Sequence, residues 1–122
     1  MPRATYRIVL IDDDLDMHDV ARVVLPLPRH SVSCATTAAA GLELIRRECP
    51  DLILLDIMLA TPTEGFAVAE QLKADPELCR IPIVMISSAA LDGPPPATAA
   101  RFLEKPLDPL ELQRIVVEVV GT

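Results

Sequence analysis

Aromatic side chains are nearly missing from this chain. There is no tryptophan, and Tyr6, Phe66 and Phe102 are the whole aromatic content. A core without rings must be filled by Val, Ile, Leu and Ala, and with about half the residues apolar (51%) there is enough of them to exclude a disordered chain. Positive charge is also short: 11 Lys and Arg face 18 Asp and Glu, for a net charge of −7. That deficit argues against direct nucleic-acid binding, which is driven by neutralising phosphates with Lys and Arg. It suits metal cations and a protein partner with a basic face. Cysteine is sparse: Cys34, Cys49 and Cys79 form an odd set with no CxxC spacing, so neither a disulfide framework nor a zinc site is expected. No apolar run approaches the length of a membrane span, and Met1-Pro2-Arg3 opens no signal-peptide pattern. The expected setting is the cytoplasm, with no membrane partner.

What is present fits one domain over residues 1–122. Five short aliphatic runs, at 7–11, 31–35, 52–55, 83–86 and 101–103, predict strands. The first, third and fourth are almost continuously apolar, as in strands covered on both faces. Helical patterns alternate with them. Val20, Val23, Val24 and Leu27 stand at i, i+3, i+4 and i+7, and Pro26 and Pro28 stop that helix near Leu25. Ala38, Leu42, Ile45 and Cys49 form a second stripe, with Thr36 or Thr37 as N-cap, a Glu43–Arg47 pair in the favourable order, and Pro50 as its end. Phe66, Ala69 and Leu72 mark a third helix that ends near Asp75-Pro76. In the last, Asp108 caps, Pro109 takes the first helical position, Glu111 completes a capping-box-like pattern, and Leu112, Ile115, Val116 and Val119 face inward. The alternation predicts an α/β fold with a doubly wound, five-stranded parallel sheet. Between the fourth and fifth strands, three consecutive prolines at 94–96 forbid a regular helix, so the fourth helix is expected to be degenerate or missing.

In open α/β sheets, ligands bind beyond the carboxyl ends of the strands. Asp12, Asp13 and Asp14 follow the first strand, Asp56 the third, Ser87 and Ser88 the fourth, and Lys105-Pro106 the fifth. Gathered carboxylates repel each other, and Mg²⁺, a hard cation that takes oxygen ligands, relieves the repulsion. The same charge serves phosphoryl transfer, which depends mostly on positioning and charge stabilisation. A carboxylate can act there as nucleophile.

Four segments then resemble the receiver domains of two-component response regulators, in that family's order: Val9-Leu-Ile-Asp-Asp-Asp14, Asp51-Leu-Ile-Leu-Leu-Asp-Ile-Met-Leu59, Ile81-Pro-Ile-Val-Met-Ile-Ser87 and Phe102-Leu-Glu-Lys-Pro106. The resemblance implies a flavodoxin-like strand order, 2-1-3-4-5. It implies that Asp56 accepts a phosphoryl group from a histidine kinase or a histidine phosphotransfer protein. Asp12, Asp13, Asp56 and the Met58 carbonyl would hold Mg²⁺. Lys105 would pair with the phosphate, Ser87 would be the switch hydroxyl, Phe102 the aromatic switch position, and Lys105–Pro106 a cis bond. Such a domain catalyses its own phosphorylation only in a limited sense, and a homodimer is compatible with it. Met58 and Ala89 stand where polar groups in the family orient the attacking water, and neither can do so, so slow dephosphorylation is expected. Two departures stand out. The segment 59–65 lacks the usual Pro placement and is one residue longer than the family pattern. The Pro-rich stretch falls in what is ordinarily the output and dimer face, so the route of output stays open.

Asp16, Asp51 and Asp75 read as exposed or helix-adjacent acids, and Asp14 as a complement to the first helix's N-terminal dipole. His18 and His30 have no ligand-like spacing and read as surface residues. Phe102 could serve as core alone. Val117 and Val120 could be a partner patch or the wide apolar face of the last helix. A pseudo-receiver, acting only as an interaction module, is the main functional alternative. A haloacid-dehalogenase-type phosphatase needs a second Asp where Met58 stands. A flavodoxin-like cofactor site needs hydroxyls and amides where three aspartates stand.

Overall fold

The computed structural model describes residues 5–59, 64–87 and 97–120. Within them the order is β1 (Tyr6–Ile11), α1 (Leu15–Val24), β2 (His30–Ala35), α2 (Ala38–Glu48), β3 (Leu52–Asp56), α3 (Glu64–Ala74), β4 (Ile83–Ser87), β5 (Arg101–Glu104) and α4 (Pro109–Val120). All strand pairs are parallel, and the sheet order is β2-β1-β3-β4-β5, as expected. The described residues hold four helices, and 97–100, just before β5, add none. The Pro-rich 93–96 run, like most of the altered 59–65 segment, lies outside the described residues.

Strand side chains alternate between faces. Ile8, Leu10, Leu52, Leu54, Val84, Ile86 and Leu103 pack beneath α1 and α4, whose Met17, Ala21, Leu112, Ile115 and Val116 close that core. Val9, Ile11, Ile53, Leu55, Ile83 and Met85 pack beneath α2 and α3, through Ile45, Val68, Ala69 and Leu72. The two-sided cover explains why β3 and β4 are buried at every residue.

The helix ends follow their capping residues. Asp14 accepts from the Asp16 amide at the start of α1, and Thr37 accepts from the Ala40 amide at the start of α2. Asp108 accepts from the Leu110 amide. Lys105–Pro106 is cis, as expected, and so is Leu27–Pro28.

Several expectations are corrected. The inward stripe of α1 is Met17 and Ala21, followed by Leu25 just past the helix. Val23 (77% exposed) and Leu27 (73%) face solvent, and Val20 is also exposed. Cys49 is no part of α2's inner face. It is the exposed C-cap, in the left-handed region at φ 46°. Glu43 and Arg47 form no ion pair among the described residues. His18 and His30 are both buried. His18 is drawn in by a backbone partner, and His30 is carried in as the first residue of β2, opposite Tyr6. Asp51 is half-buried and accepts from the Arg7 amide at 2.8 Å. Val120 packs against the core beside α4's stripe, whereas Val117 stays exposed.

Candidate active site at the strand ends

The carboxyl ends of β1, β3, β4 and β5 lie side by side because the four strands are neighbours in one parallel sheet. Chain order therefore hardly matters: Asp12, Asp56, Ser87 and Lys105, far apart in sequence, leave the same sheet edge. Ser87 pairs in register with Glu104, and its carbonyl accepts from the Lys105 amide at 2.7 Å.

Asp12, Asp13 and Asp56 can each offer a carboxylate oxygen within 4.8 Å of the others. Asp12 and Asp56 are buried, and Asp13 is exposed. Each buried acid is steered by an amide two residues on: the Asp14 N–H donates to Asp12 Oδ1 at 2.9 Å, and the Met58 N–H donates to Asp56 Oδ1 at 3.0 Å. These bonds turn the Oδ2 atoms toward Lys105. Its ammonium lies 2.8 Å from Asp12 Oδ2 and 3.4 Å from Asp56 Oδ2. The approach to Asp12 is an ion pair without hydrogen-bond alignment, so Asp12 Oδ2 is buried with no hydrogen-bond partner.

The electrostatics follow from this crowding. Burial first, then the Asp12 charge, pushes the Asp56 carboxyl from 3.8 up to about 6; the Met58 amide and Lys105 act in the opposite direction. Burial disfavours the Lys105 ammonium, but pairing with Asp12 and Asp56 outweighs that and raises it above the ordinary lysine value. One ammonium thus faces two buried carboxylates, with a third carboxylate at the rim. That surplus of anionic oxygen over a single ammonium fits a hard divalent cation.

The helix beyond β3 is held close by Gly65. Its amide donates to the Ile57 carbonyl at 2.8 Å, and a Cβ there would stand 2.4 Å from the Asp56 carbonyl oxygen. No side chain fits between α3 and the end of β3, and nothing in the sequence alone signalled this.

The other expected site residues are placed as follows. Ser87 is buried at the end of β4. Met58 is exposed (40%), beside Asp56. Phe102 is half-buried and packs on the α2–α3 side of the sheet. Ala89 lies outside the described residues. The residue missed from sequence is His18, whose Nε2 is 2.6 Å from the Asp12 carbonyl oxygen.

A doubly wound parallel sheet with an acid cluster and a lysine at its carboxyl edge defines a class: open α/β proteins whose ligand sites lie at the strand ends. The response regulator receiver domain family matches residues 8–117, and the chain belongs to it. The response regulator PleD of Caulobacter vibrioides is 35% identical over 112 residues, covering 87% of this chain and 24% of PleD. This chain thus spans about a quarter of that relative's length. A 14.6 kDa protein of Leptolyngbya boryana is 30% identical over 113 residues, covering 89% of this chain and 86% of its own. A solved CheY-like response regulator receiver domain protein of Methanospirillum hungatei superposes with a TM-score of 0.79 at 25% identity, covering 96% of this chain and 94% of that one.

Proposed function

We propose that this receiver domain accepts a phosphoryl group on Asp56, in a Mg²⁺-dependent reaction, from a phosphohistidine of a histidine kinase or histidine phosphotransfer protein, and acts as a conformational switch. The observation that carries the reading is the convergence of Asp12, Asp13 and Asp56 with Lys105 at one sheet edge.

An Asp56 oxygen forms the new P–O bond while the P–N bond of the donor breaks. The electron pair returns to the imidazole nitrogen, which takes a proton from solvent, and the product is an acyl phosphate. Bound by Asp12, Asp13, Asp56 and the Met58 carbonyl, Mg²⁺ would supply positive charge to the phosphoryl oxygens. Lys105, already beside Asp56, would turn its ammonium to the new dianion. Ser87, buried at the end of β4, would offer its hydroxyl to the same group. Drawing these two residues inward would bias a pre-existing equilibrium, with half-buried Phe102 as the aromatic reporter. The donor protein would meet an apolar hollow of about 320 Å³ lined by Asp19, Val20, Val23, Val24 and Pro109. Asp14, Asp16, Lys105 and Leu107 line a second hollow of about 420 Å³ between it and the site.

Intact-mass measurement after treatment with a small phosphodonor tests the reading. One added phosphoryl group, requiring Mg²⁺ and absent in Asp56→Asn, supports it. No uptake by the wild type under any metal condition would point instead to a domain that acts only as an interaction module.

A further inference from the structure

His18 is a polar residue in α1 that the sequence places on the surface and the fold buries. Its Nε2 lies 2.6 Å from the backbone carbonyl oxygen of Asp12, six residues earlier. A carbonyl can only accept, so the bond requires a proton on Nε2. The ring therefore reaches back from the second turn of α1 and clasps the end of β1, where the acid pair begins.

The bonds to Asp12 show what the clasp achieves. The Asp12 amide donates to the Ala35 carbonyl at 3.0 Å, tying the residue to β2. Its carbonyl accepts from His18. Its Oδ1 accepts from the Asp14 amide at 2.9 Å. Three of Asp12's four hydrogen-bonding groups are thus spoken for by the protein, each from a different direction. The fourth, Oδ2, is fully buried, has no hydrogen-bond partner, and faces Lys105 and the carboxylate cluster. With the peptide groups before and after its Cα each pinned by a hydrogen bond and one carboxylate oxygen anchored, the direction of the other oxygen is fixed.

We propose that His18 is a positioning residue for the metal site: by donating from Nε2 to the Asp12 carbonyl, it fixes the β1–α1 turn that aims Asp12 Oδ2 at the cation. This rests on the reading of Asp12, Asp13 and Asp56 as Mg²⁺ ligands. The bond reaches the ligand through its backbone rather than through its carboxylate. Removing it frees the turn without deleting any carboxylate, so that only the aim of Asp12 Oδ2 is lost. Partners that orient metal ligands in this way typically change affinity by about tenfold or more when lost.

Mg²⁺ binding, measured by calorimetry on the whole chain, tests this with wild type, His18→Gln and His18→Met. The Gln amide nitrogen reaches about as far as Nε2 and can donate, whereas Met fills similar space and cannot. The expected result is that His18→Met weakens Mg²⁺ binding about tenfold while His18→Gln stays within about threefold of wild type. A residue that merely packs would lower the Tm of His18→Met and leave its Mg²⁺ affinity at the wild-type value, and that result overturns the proposal. Equal weakening in both variants overturns it too, because the donor would then be irrelevant. Nitrogen NMR of the wild-type ring gives a second readout that needs no variant to fold. Nε2 should carry the proton, and its resonance should move on adding Mg²⁺; an Nδ1-protonated ring, or one that ignores the metal, contradicts the assignment. If wild type itself binds no Mg²⁺, the functional reading fails and takes this proposal with it. If wild type binds and His18→Met binds equally, the proposal alone fails.

Discussion

Lys105 Nζ lies 2.8 Å from Asp12 Oδ2, nearer than the 3.4 Å that separates it from Asp56 Oδ2. The ammonium is shared between two buried acids, and Asp12 is its closer partner. Lys105→Met leaves both carboxylates without their cation. Since the ammonium is partly solvent-exposed, the loss should be about 1–2 kcal/mol of metal-free stability, below the cost of breaking a fully buried pair. Mg²⁺ should then raise the Tm of Lys105→Met by more than it raises that of wild type. Thermal melts with and without Mg²⁺ check this, and an equal shift in both proteins would contradict it.

The pH dependence of the metal-free protein has a definite sign. Burial and then Asp12 raise Asp56 from 3.8 to about 6, so the fold holds that proton more tightly than the unfolded chain does. Asp56 therefore contributes stability below 3.8 that is lost as pH rises through about 6. Mg²⁺ should restore it, so the Mg²⁺-induced Tm shift should be small at about pH 5 and larger at about pH 7.5. A shift that shrank over that interval would count against the cation sitting on Asp56.

His30 has the opposite sign. Both of its ring nitrogens are buried without a partner, and burial, then the Arg29 charge, lowers its pKa below 6.5. Arg22 shares its small cavity, and Tyr6 is its neighbour in β1. The fold disfavours the charged ring, so the neutral ring's contribution is complete above 6.5 and is lost as pH falls through the lower value of the folded protein. His30→Leu removes two orphaned polar atoms and should stabilise by about 1 kcal/mol, with a larger gain at acid pH. Urea melts at two pH values give the answer, and a destabilised variant would show that the ring has a partner after all.

Two glycines contrast cleanly. A Cβ on Gly65 would meet backbone, the Asp56 carbonyl oxygen and the Ile57 Cα, both at 2.4 Å. A Cβ on Gly41 would meet the buried Ile11 side chain, Cδ1 at 2.3 Å and Cγ1 at 2.5 Å, which must shift within the core rather than move backbone. Gly65→Ala should cost about 3 kcal/mol and impair phosphorylation, because α3 must move off the end of β3; Gly41→Ala should cost about 1 kcal/mol and leave phosphorylation intact. Melts combined with phosphoryl uptake test both, and equal effects on uptake would break the distinction.

The lifetime of the acyl phosphate tests the apolar pair at Met58 and Ala89. With no polar group there to orient water, the purified phosphoprotein should persist for many minutes to hours, and Met58→Asn should shorten that time. Decay within seconds in the wild type would refute the assignment.

The sheet and its acidic edge were legible because continuous aliphatic runs mark doubly covered strands and because strand ends collect the ligand-binding residues. Strand ends alone gather Asp12, Asp13, Asp14, Asp56, Ser87, Ser88 and Lys105, and the resemblance to receiver domains singles out Asp12, Asp13, Asp56, Ser87 and Lys105 among them. The rotation of α1 was not legible. Val20, Val23, Val24 and Leu27 make as good a helical stripe as Met17 and Ala21 do, and only packing decides: Met17 and Ala21 join the core with Ile8 and Leu10, Val24 packs against it, and Val20, Val23 and Leu27 are left exposed. Leu27 in any case lies beyond the end of α1. His18 escaped for a related reason. Its partner is a backbone carbonyl, which every residue has, so no spacing of residue types can announce it. Gly65 escaped because the contact it avoids lies across the end of a strand, visible only once α3 is placed.

The central claim is that Asp56, and no neighbouring acid, carries the phosphoryl group. Borohydride reduces an acyl phosphate of aspartate to homoserine and leaves free carboxylates untouched, so peptide mapping of the phosphorylated, reduced protein reads the acceptor directly. Homoserine at position 56, appearing only when Mg²⁺ was present, is the predicted result; homoserine at position 12 or 13 instead would contradict it.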